Sequence, residues 1–343
     1  MSLSNPNGFR SILVTGGSGY VGSALVPALL ERGYQVKVVD LFWFGRDVFG
    51  EHGAHPNLEA IELDIRDTRT LARHLRGVDV VLHLACISND PSFELDPDLG
   101  KSINYDCFSG ILQGAIDGGV KRFIYASSSS IYGVKAEPNV TEDAEPQPLT
   151  DYSKFKLACE RILMDHPQVN GMERVVIRPA TVCGYAPRLR LDLVVNILTI
   201  HALVNRRIKV FGGDQLRPNI PVRDMVRAYL ALLDARRDLV DGEAFNAGRE
   251  NHTVKQLAEL VRDALEDPGI VIESMPTDDP RSYHINSDKI RRQLDFTPRY
   301  TIADAVRELG HAYRAGWMKD PMQNPAYYNI RTMQRLGSAV RYA

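Results

Sequence analysis

The segment DYSKFK, residues 151–156, places a tyrosine four residues ahead of a lysine. On a helix, Tyr152 and Lys156 lie on one face, one turn apart. The pair is then either an ordinary contact on a solvated helix or a phenol whose proton a nearby positive charge makes easier to remove. The spacing alone is weak evidence, because the 343-residue chain contains 14 tyrosines and 41 Lys and Arg residues. The interpretation depends on what else the chain places beside Tyr152.

Three glycines, Gly16, Gly19 and Gly22, stand in TGGSGYVG, where a strand pattern changes to a helix pattern. The first permits a tight turn, the second lets the backbone approach a pyrophosphate, and the third lets helix and strand pack closely. The helix N-terminus then offers free N–H groups to the phosphates. Such glycines often mark only a tight turn, but the strand–helix–strand context favours a dinucleotide site.

Two aspartates end the next strand patterns. Asp40 comes 18 residues after Gly22, close to the spacing of a carboxylate that binds ribose hydroxyls. It would repel a 2′-phosphate, and no arginine follows until Arg46, so the cofactor is predicted to be NAD rather than NADP. Alternatively, Asp40 caps a turn. Asp64 is placed either to meet an adenine amino group or to cap the helix that follows.

A run of serines, IYASSSSIYG, follows the fifth strand pattern. Residues at the carboxyl end of a parallel strand line the crevice in which open α/β sheets bind ligands. The helix with Tyr152 and Lys156 begins shortly afterwards, so a serine hydroxyl, a phenol and an ammonium can converge there. Ser127, Ser129 and Ser130 are interpreted as plain polar loop.

The first half of the chain alternates strand and helix patterns. Its strands are continuous apolar runs, which indicates a parallel sheet with helices on both faces. The fold class is therefore predicted to be α/β, a doubly wound Rossmann sheet. The predicted strands are RSILVTGG, YQVKVVD, LEAIELDI, VDVVLHLAC, KRFIYASS and ERVVIRPA. The helix YVGSALVPALLERG should kink at Pro27.

The second half loses this rhythm and is expected to form a smaller, discontinuous C-terminal substrate lobe. We expect a helix near 223–235 and a strand near 243–247 that returns to the sheet. The tail is either a docked helix or an oligomer contact. The predicted organisation is a cofactor domain at 8–182 with a returning segment near 221–250, a lobe at 183–220 and 251–315, and an extension at 316–343.

Charge, hydrophobicity and cysteine spacing argue against several classes of protein. The formal net charge is −2, with 44% hydrophobic and 24% charged residues, which argues against a nucleic-acid or polybasic membrane partner. No apolar run reaches the length of a membrane span, and the N-terminus does not resemble a signal peptide. The spacing of Cys86, Cys107, Cys159 and Cys183 fits neither a metal site nor a disulfide framework. We expect buried, reduced thiols, no metal and a cytoplasmic protein.

The sequence resembles the extended short-chain dehydrogenase/reductase family, in particular its NAD-dependent nucleotide-sugar epimerases and dehydratases such as UDP-glucose 4-epimerase. The resemblance extends over roughly residues 10–315. It rests on TGGSGYVG, Asp40, Asp64, HLAC at 83–86, Asn104, SSSSIYG, YSKFK, IRPATV at 177–182, KVFGGDQLRPNIPVRDMVRAYL and FNAGRE.

The resemblance implies a role for each matching residue. Tyr152 would be the general base and acid, Lys156 would bind the nicotinamide ribose and lower the tyrosine pKa, and Ser128 would bind the reacting sugar oxygen. The implied NAD-binding residues are Gly16, Gly19, Tyr20, Val21, Gly22, Asp40, Asp64, Ile65, Leu84, Ala85, Asn104, Tyr152, Lys156 and Pro179.

The same resemblance implies a nucleotide-diphosphate sugar as substrate. Arg217 matches the family's pyrophosphate-binding arginine and Arg281 is a second candidate, since arginine suits a bidentate anion clamp. The less favoured alternative for both is a solvated surface charge. Asn196 and Thr181 are expected near the sugar or phosphates. Many relatives are dimers, so a homodimer is expected by analogy.

Some residues differ from the motifs of particular family members, and these differences reduce the number of reactions to consider. Ser129 and Ser130 stand where 4,6-dehydratases have an Asp-Glu pair, and Ser130 also replaces the cysteine of 3,5-epimerases. A C4 epimerase acting through a transient 4-keto sugar is favoured. A 4-ketoreductase, a dehydratase or a decarboxylase remains an alternative. A regulator that binds NAD without catalysis is another, although such proteins tend to lose the Ser-Tyr-Lys triad.

Overall fold

A computed structural model describes residues 6–167, 169–277 and 281–337. The described residues form twelve strands: β1 (Ser11–Thr15), β2 (Gln35–Asp40), β3 (Leu58–Glu62), β4 (Val80–His83), β5 (Arg122–Ala126), β6 (Glu173–Pro179), β7 (Thr181–Cys183), β8 (Arg207–Phe211), β9 (Leu216–Pro221), β10 (Glu243–Ala247), β11 (Glu250–Thr253) and β12 (Val271–Met275).

The α-helices of the described ranges are α1 (Gly22–Glu31), α2 (Thr68–Leu75), α3 (Asp90–Glu94), α4 (Pro97–Lys101), α5 (Phe108–Asp117), α6 (Asp151–Met164), α7 (Val194–Asn205), α8 (Val222–Asp234), α9 (Arg237–Val240), α10 (Val254–Ala264), α11 (Asp288–Leu294), α12 (Ile302–Arg314) and α13 (Asn329–Leu336). Pro27 lies inside α1, which stays one segment.

The main sheet has seven strands in the order β10-β6-β5-β4-β1-β2-β3. Every neighbouring pair is parallel, so all carboxyl ends lie at one edge. The chain order reverses between β1 and β4, and a crevice for a ligand opens at such a switch point. β10 comes from the second half of the chain and pairs with β6, with Phe245 opposite Ile177. The predicted doubly wound Rossmann sheet is confirmed.

Helices cover both faces of the sheet, which explains the continuous apolar strands. In β1, Ile12 and Val14 join a hydrophobic cluster on one face, while Leu13 joins a second cluster on the other, and all three are fully buried. The edge strand β3 is different, since Glu59 and Ala60 are exposed. The prediction that both faces are covered is therefore wrong for β3, which lies at the edge of the sheet.

A smaller lobe is built from segments that are separate in sequence. It contains a three-stranded sheet, β11-β9-β7, and a parallel pair, β12 with β8. Residues of α7, α10 and α12 pack around this lobe in a hydrophobic cluster of their own, which includes Leu198, Leu257 and Val306. The lobe is discontinuous, as predicted.

The C-terminal segment ends in a docked helix. Helix α13 packs against α3, and Met333 joins the hydrophobic cluster on one face of the main sheet. Of the two alternatives considered for the tail, the structure shows docking. Residues 338–343 of the predicted extension lie outside the described residues.

A buried ion pair fixes α6 to the sheet. Arg178 of β6 donates to Glu160 of α6, with Nη2 2.7 Å from Oε2 and Nε 3.1 Å from Oε1. Arg178 Nη1 also donates to the Tyr132 hydroxyl at 2.8 Å, and that hydroxyl donates to Asn246 of β10. The network therefore joins the helix that follows Thr150 to two strands of the sheet.

Glu160→Gln should lower the free energy of unfolding by about 3 kcal/mol, because it leaves a buried guanidinium without its carboxylate. Chemical denaturation measures this loss. Asp151→Asn, which removes an exposed ion pair with Lys154 on the same helix, is the matched control and should change stability by less than about 1 kcal/mol. Equal losses in the two variants would show that burial of the Glu160 pair carries no special weight.

Candidate active site

A cavity of about 330 Å³ opens at the carboxyl ends of the main-sheet strands. Most of the residues singled out from the sequence line it. They are Gly16, Gly19, Tyr20, Val21, Gly22, Asp40, Asp64, Ile65, Leu84, Ala85, Ser128, Tyr152, Lys156, Pro179 and Thr181.

The glycine loop connects β1 to α1 along the wall of this cavity. Gly16 has a φ of +72°, and a Cβ there would lie 2.6 Å from the backbone nitrogen of Ala85. A Cβ at Gly19 would have one close neighbour, the carbonyl oxygen of Gly16 at 3.1 Å. No side chain of the described residues caps the N-terminus of α1, and its first turn has no acid. The glycine loop and the N-terminus of α1 therefore fit the pyrophosphate of a dinucleotide.

Asp40 ends β2 beside this loop. Its carboxylate accepts hydrogen bonds from the backbone N–H of Ser18 at 2.9 Å and of Phe42 at 2.8 Å. It thus caps a turn and also lines the cavity, while ribose binding by Asp40 stays a prediction. Arg46 pairs with Glu62 and stacks on the Phe42 ring at 4.3 Å. This arginine is engaged with the edge of the sheet, which fits a ribose without a 2′-phosphate.

Asp64 also lines the cavity. Its carboxylate accepts from the backbone N–H of Arg66 at 2.8 Å and from the same residue's guanidinium. The residue that caps α2 is Asp67, which accepts from Thr70 N at 3.0 Å. The alternative that Asp64 caps this helix is therefore wrong.

Tyr152 and Lys156 project from the first turns of α6. A capping box starts this helix: Ser153 N donates to Thr150 Oγ1 at 3.3 Å, and Thr150 N donates to Ser153 Oγ at 3.1 Å. Lys156 is buried, and its Nζ donates to the carbonyl oxygen of Ala126 at 2.7 Å. That nitrogen lies 5.9 Å from the centroid of the Tyr152 ring. The ammonium is thereby fixed near the phenol at the end of β5.

Ser128 completes the arrangement. Its Oγ lies 2.9 Å from Ser130 Oγ and accepts from Ser130 N at 3.1 Å, which holds the short turn after β5. Ser129 and Ser130 also line the cavity, as does Ser127. All four serines of this run therefore line the cavity, and of the four only Ser128 is a hydrogen-bond partner of Tyr152 among the described residues.

The side chains around Tyr152 favour the neutral phenol. Burial raises the pKa of Tyr152 well above its ordinary value, and Cys86 and Asp90 raise it further, whereas Arg190 and the hydrogen bond with Ser128 oppose the rise. From the resemblance we expected a lowered pKa. The chain's own groups do not produce it, because desolvation outweighs the neighbouring positive charges.

Two predicted ligand-binding residues instead hold the backbone. Asn104 accepts from Ile87 N at 2.8 Å and donates to Ile87 O at 2.9 Å, which fixes the loop after β4. Asn196 accepts from Gly184 N at 2.9 Å and donates to Arg190 O at 2.7 Å. Neither side chain belongs to the cavity lining formed by the described residues. They support the loops that do.

The predicted arginines lie beside the cavity rather than on its wall. The guanidinium of Arg217 stacks 5.5 Å from the Tyr283 ring centroid, and Tyr283 does line the cavity. Arg281 donates to Asp90 Oδ2 at 2.9 Å and borders a small recess with Asp90 and Ser130. Thr181, at the start of β7, lines the cavity itself. Both arginines are thus placed near the Tyr152 end of the site.

Several lining residues were not predicted. Asp90 begins α3, and Phe44, Arg188, Arg190 and Asn329 come from three other segments. The one visible hint was PRLRLD, in which arginines alternate with leucines as they do in a buried, extended chain. The others reach the cavity through tertiary packing.

Cys86 corrects the prediction of four buried thiols. It is partly exposed and lines the cavity, while Cys107, Cys159 and Cys183 are buried. No group of three or more potential metal ligands occurs among the described residues. Within the same residues, no helix is long and apolar enough to cross a membrane.

Comparison with known proteins agrees with this geometry. The sequence model of the NAD dependent epimerase/dehydratase family matches residues 12–248. UDP-glucuronic acid decarboxylase 1 of Arabidopsis thaliana is 30% identical over 317 residues, covering 88% of this chain and 69% of the relative.

Two solved structures are similar over most of their length. The dTDP-glucose 4,6-dehydratase of Streptomyces venezuelae, solved with NAD, has a TM-score of 0.82 and 25% identity, covering 92% of this chain and all of that one. The UDP-glucose 4-epimerase of Thermotoga maritima, solved with UDP-glucose, has a TM-score of 0.79 and 27% identity, covering 90% and 100%. NAD is the cofactor that the glycine loop and Asp40 fit. The chain belongs to the NAD-dependent epimerase/dehydratase family.

Proposed function

We propose that the protein is an NAD-dependent nucleotide-sugar epimerase that inverts C4 through a transient 4-keto sugar. The observation that carries this proposal is the meeting of Ser128, Tyr152 and Lys156 at one cavity, with serines at 129 and 130 where elimination would need acids. Epimerisation needs only a hydroxyl-binding group, a proton acceptor and a bound hydride carrier. Each of these requirements is matched by a residue or by the cofactor.

Each residue has a defined task. Tyr152 takes the proton of the C4 hydroxyl and later returns it, and Ser128 hydrogen-bonds the same oxygen. Lys156, held by the Ala126 carbonyl, keeps a positive charge beside the phenol. When bound, NAD would supply a hydride acceptor for C4 and then a hydride donor for the opposite face of the 4-keto sugar. The positive nicotinamide ring would add the charge that Tyr152 needs to ionise, since its own surroundings disfavour the phenolate.

The carboxylates of the site support epimerisation over elimination. Those lining the cavity, among the described residues, are Asp40, Asp64 and Asp90. Asp40 and Asp64 are assigned here to the ribose and the adenine of NAD. Asp90 accepts from Thr150 Oγ1 at 2.6 Å and from Arg281 at 2.9 Å, so it is held as a structural anion. An elimination of water would need a general acid, and Asp90 could serve as one only by leaving these partners.

The substrate is proposed to be a nucleotide-diphosphate sugar. Arg217 and Arg281 lie next to the Tyr152 end of the cavity, where a substrate pyrophosphate would follow the sugar. Arginine offers the forked donors that bind such a group. The Thermotoga maritima relative was solved with UDP-glucose, which supports this substrate class. The intact Ser-Tyr-Lys triad argues against a regulator without catalysis.

We further propose a homodimer. Tyr105 and Phe155 stack at 5.1 Å between centroids and are only partly buried on the surface formed around α5 and α6. A second copy packed on these helices would cover them. Light scattering after size exclusion gives the mass directly, and a monomer at micromolar concentration would contradict this proposal.

The activity is tested by incubating the purified protein, without added cofactor, with uridine, guanosine, thymidine and cytidine diphosphate sugars. We expect an isomer of unchanged mass from at least one, identified by mass spectrometry and sugar NMR. Loss of one water would indicate a dehydratase, and loss of carbon dioxide a uronate decarboxylase. Oxidation of added NADH by a 4-keto sugar, with no isomer formed, would indicate a ketoreductase.

Tyr152→Phe should lower turnover by at least about 100-fold, because it removes the proton acceptor while keeping the ring. Bound NAD, measured from the absorbance of the purified variant, should be unchanged. Tyr105→Phe is the matched control, since Tyr105 lies on a neighbouring segment outside the cavity lining. Retained activity in Tyr152→Phe would contradict the assignment of the proton acceptor.

The ionisation of Tyr152 should depend on the cofactor. With a pKa raised by burial, the phenol of the NAD-stripped protein should stay neutral up to pH 10 and beyond. Binding of oxidised NAD should move its titration to lower pH, because the nicotinamide adds a positive charge. NMR of ¹³Cζ-labelled tyrosine follows this, with Tyr152→Phe for assignment. Identical titration curves with and without NAD would show that the cofactor does not control the phenol.

A further inference from the structure

Arg188 is a buried cation on the cavity wall. It is only 4% exposed, although it lies in a segment without regular secondary structure between β7 and α7. Its backbone N–H donates to Ser23 Oγ of α1 at 3.1 Å, and its guanidinium lies 3.6 Å from the centroid of the Phe44 ring. The side chain is thus held between the start of α1 and the loop after β2.

Among the described residues, no carboxylate forms an ion pair with Arg188, although Asp192 and Asp40 lie near enough to favour its charged form. Its Nη2 donates to the Oδ1 of Asn329, a neutral acceptor, at 2.5 Å, and its Nε has no hydrogen-bond partner among the described residues. Burial and the nearby Arg190 lower the pKa of Arg188 to about 9. By contrast, Arg190 pairs with Asp192 at 2.9 Å. A buried guanidinium without a carboxylate is costly unless an anion compensates it.

The position of Arg188 indicates which anion this is. The backbone N–H of Arg188 contacts Ser23, which directly follows Gly22 at the start of α1, and its guanidinium stacks on Phe44, four residues after Asp40. Gly19 and Gly22 line the cavity with it. Arg188 therefore lies beside the N-terminus of α1, where the pyrophosphate of NAD is expected, whereas Arg281 contacts Asp90 near Tyr152.

The C-terminal helix holds Arg188 in place. Asn329, the first residue of α13, accepts from Arg188 and donates through Nδ2 to Ser88 Oγ at 3.0 Å. Ser88 Oγ in turn accepts from Arg190 Nη1 at 2.9 Å, and Asn329 N donates to Asp192 at 3.1 Å. One network thus ties the extension to both arginines. Asn329 offers an acceptor without adding a negative charge.

We propose that Arg188 binds the pyrophosphate of NAD and that Asn329, from the C-terminal extension, is the residue that positions it. The neutral amide orients the guanidinium and leaves its charge for the phosphates. Arg190, already paired with Asp192, contributes less. The inference rests on NAD as cofactor and does not depend on which sugar is converted.

The test compares ligands with and without a pyrophosphate. Calorimetry on the NAD-stripped protein measures the affinity for ADP-ribose and for adenosine, in wild type, Arg188→Gln and Asn329→Asp. Arg32→Gln is the control for loss of one positive charge, because Arg32 pairs with Asp234 away from the cavity. UDP binding to the NAD-loaded proteins reports the substrate pyrophosphate separately.

Arg188→Gln should weaken ADP-ribose about 30-fold and adenosine by less than about threefold, since charge-assisted hydrogen bonds to phosphate are lost. Asn329→Asp keeps the acceptor but neutralises Arg188, so it should weaken ADP-ribose in the same selective way. A merely structural Asn329 would leave binding unchanged in this variant. Equal losses for ADP-ribose and adenosine, no loss for either, or a selective loss of UDP binding would overturn the proposal.

Discussion

Parallel pairing of seven strands is the constraint on which the rest of the structure depends. Because every carboxyl end lies at one edge, residues from distant parts of the chain reach one cavity: the loop after β1, Asp40 at the end of β2, Ala85 after β4 and Ser128 after β5. Close approach is part of the same constraint. The backbone of Gly16 passes so near Ala85 that a side chain would have to displace it. The glycine thus allows the loops that follow β1 and β4 to run side by side.

Two groups on the wall of the cavity have opposite electrostatic requirements. Burial keeps Tyr152 neutral, so catalysis requires an added positive charge. Arg188 is a buried cation whose guanidinium, among the described residues, donates to the neutral amide of Asn329. Oxidised NAD has a positive nicotinamide and a negative pyrophosphate, and its two parts match these needs in opposite senses. In this account cofactor binding both stabilises the site and prepares the base.

The sequence predicted those site residues that lie next to a strand end or a helix start. Tyr152, Lys156, Asp40 and the glycine loop have a local pattern whose geometry the sheet then determines. Asn196 has the right residue type, but its amide bonds to Gly184 and Arg190, a choice that only tertiary packing reveals.

Asp90, Arg188 and Asn329 could not be read from spacing, because segments more than 90 residues apart bring them together. Arg188 and Asn329 illustrate the difference most clearly, since 141 residues separate the two ends of their hydrogen bond.

C4 epimerisation by hydride transfer can be tested with a nucleotide-sugar that the protein converts, labelled with deuterium at C4. We predict an isomer of unchanged mass that keeps the label at an inverted C4, because the hydride leaves and returns to one carbon. Label lost to water, or found on another carbon, would contradict the account.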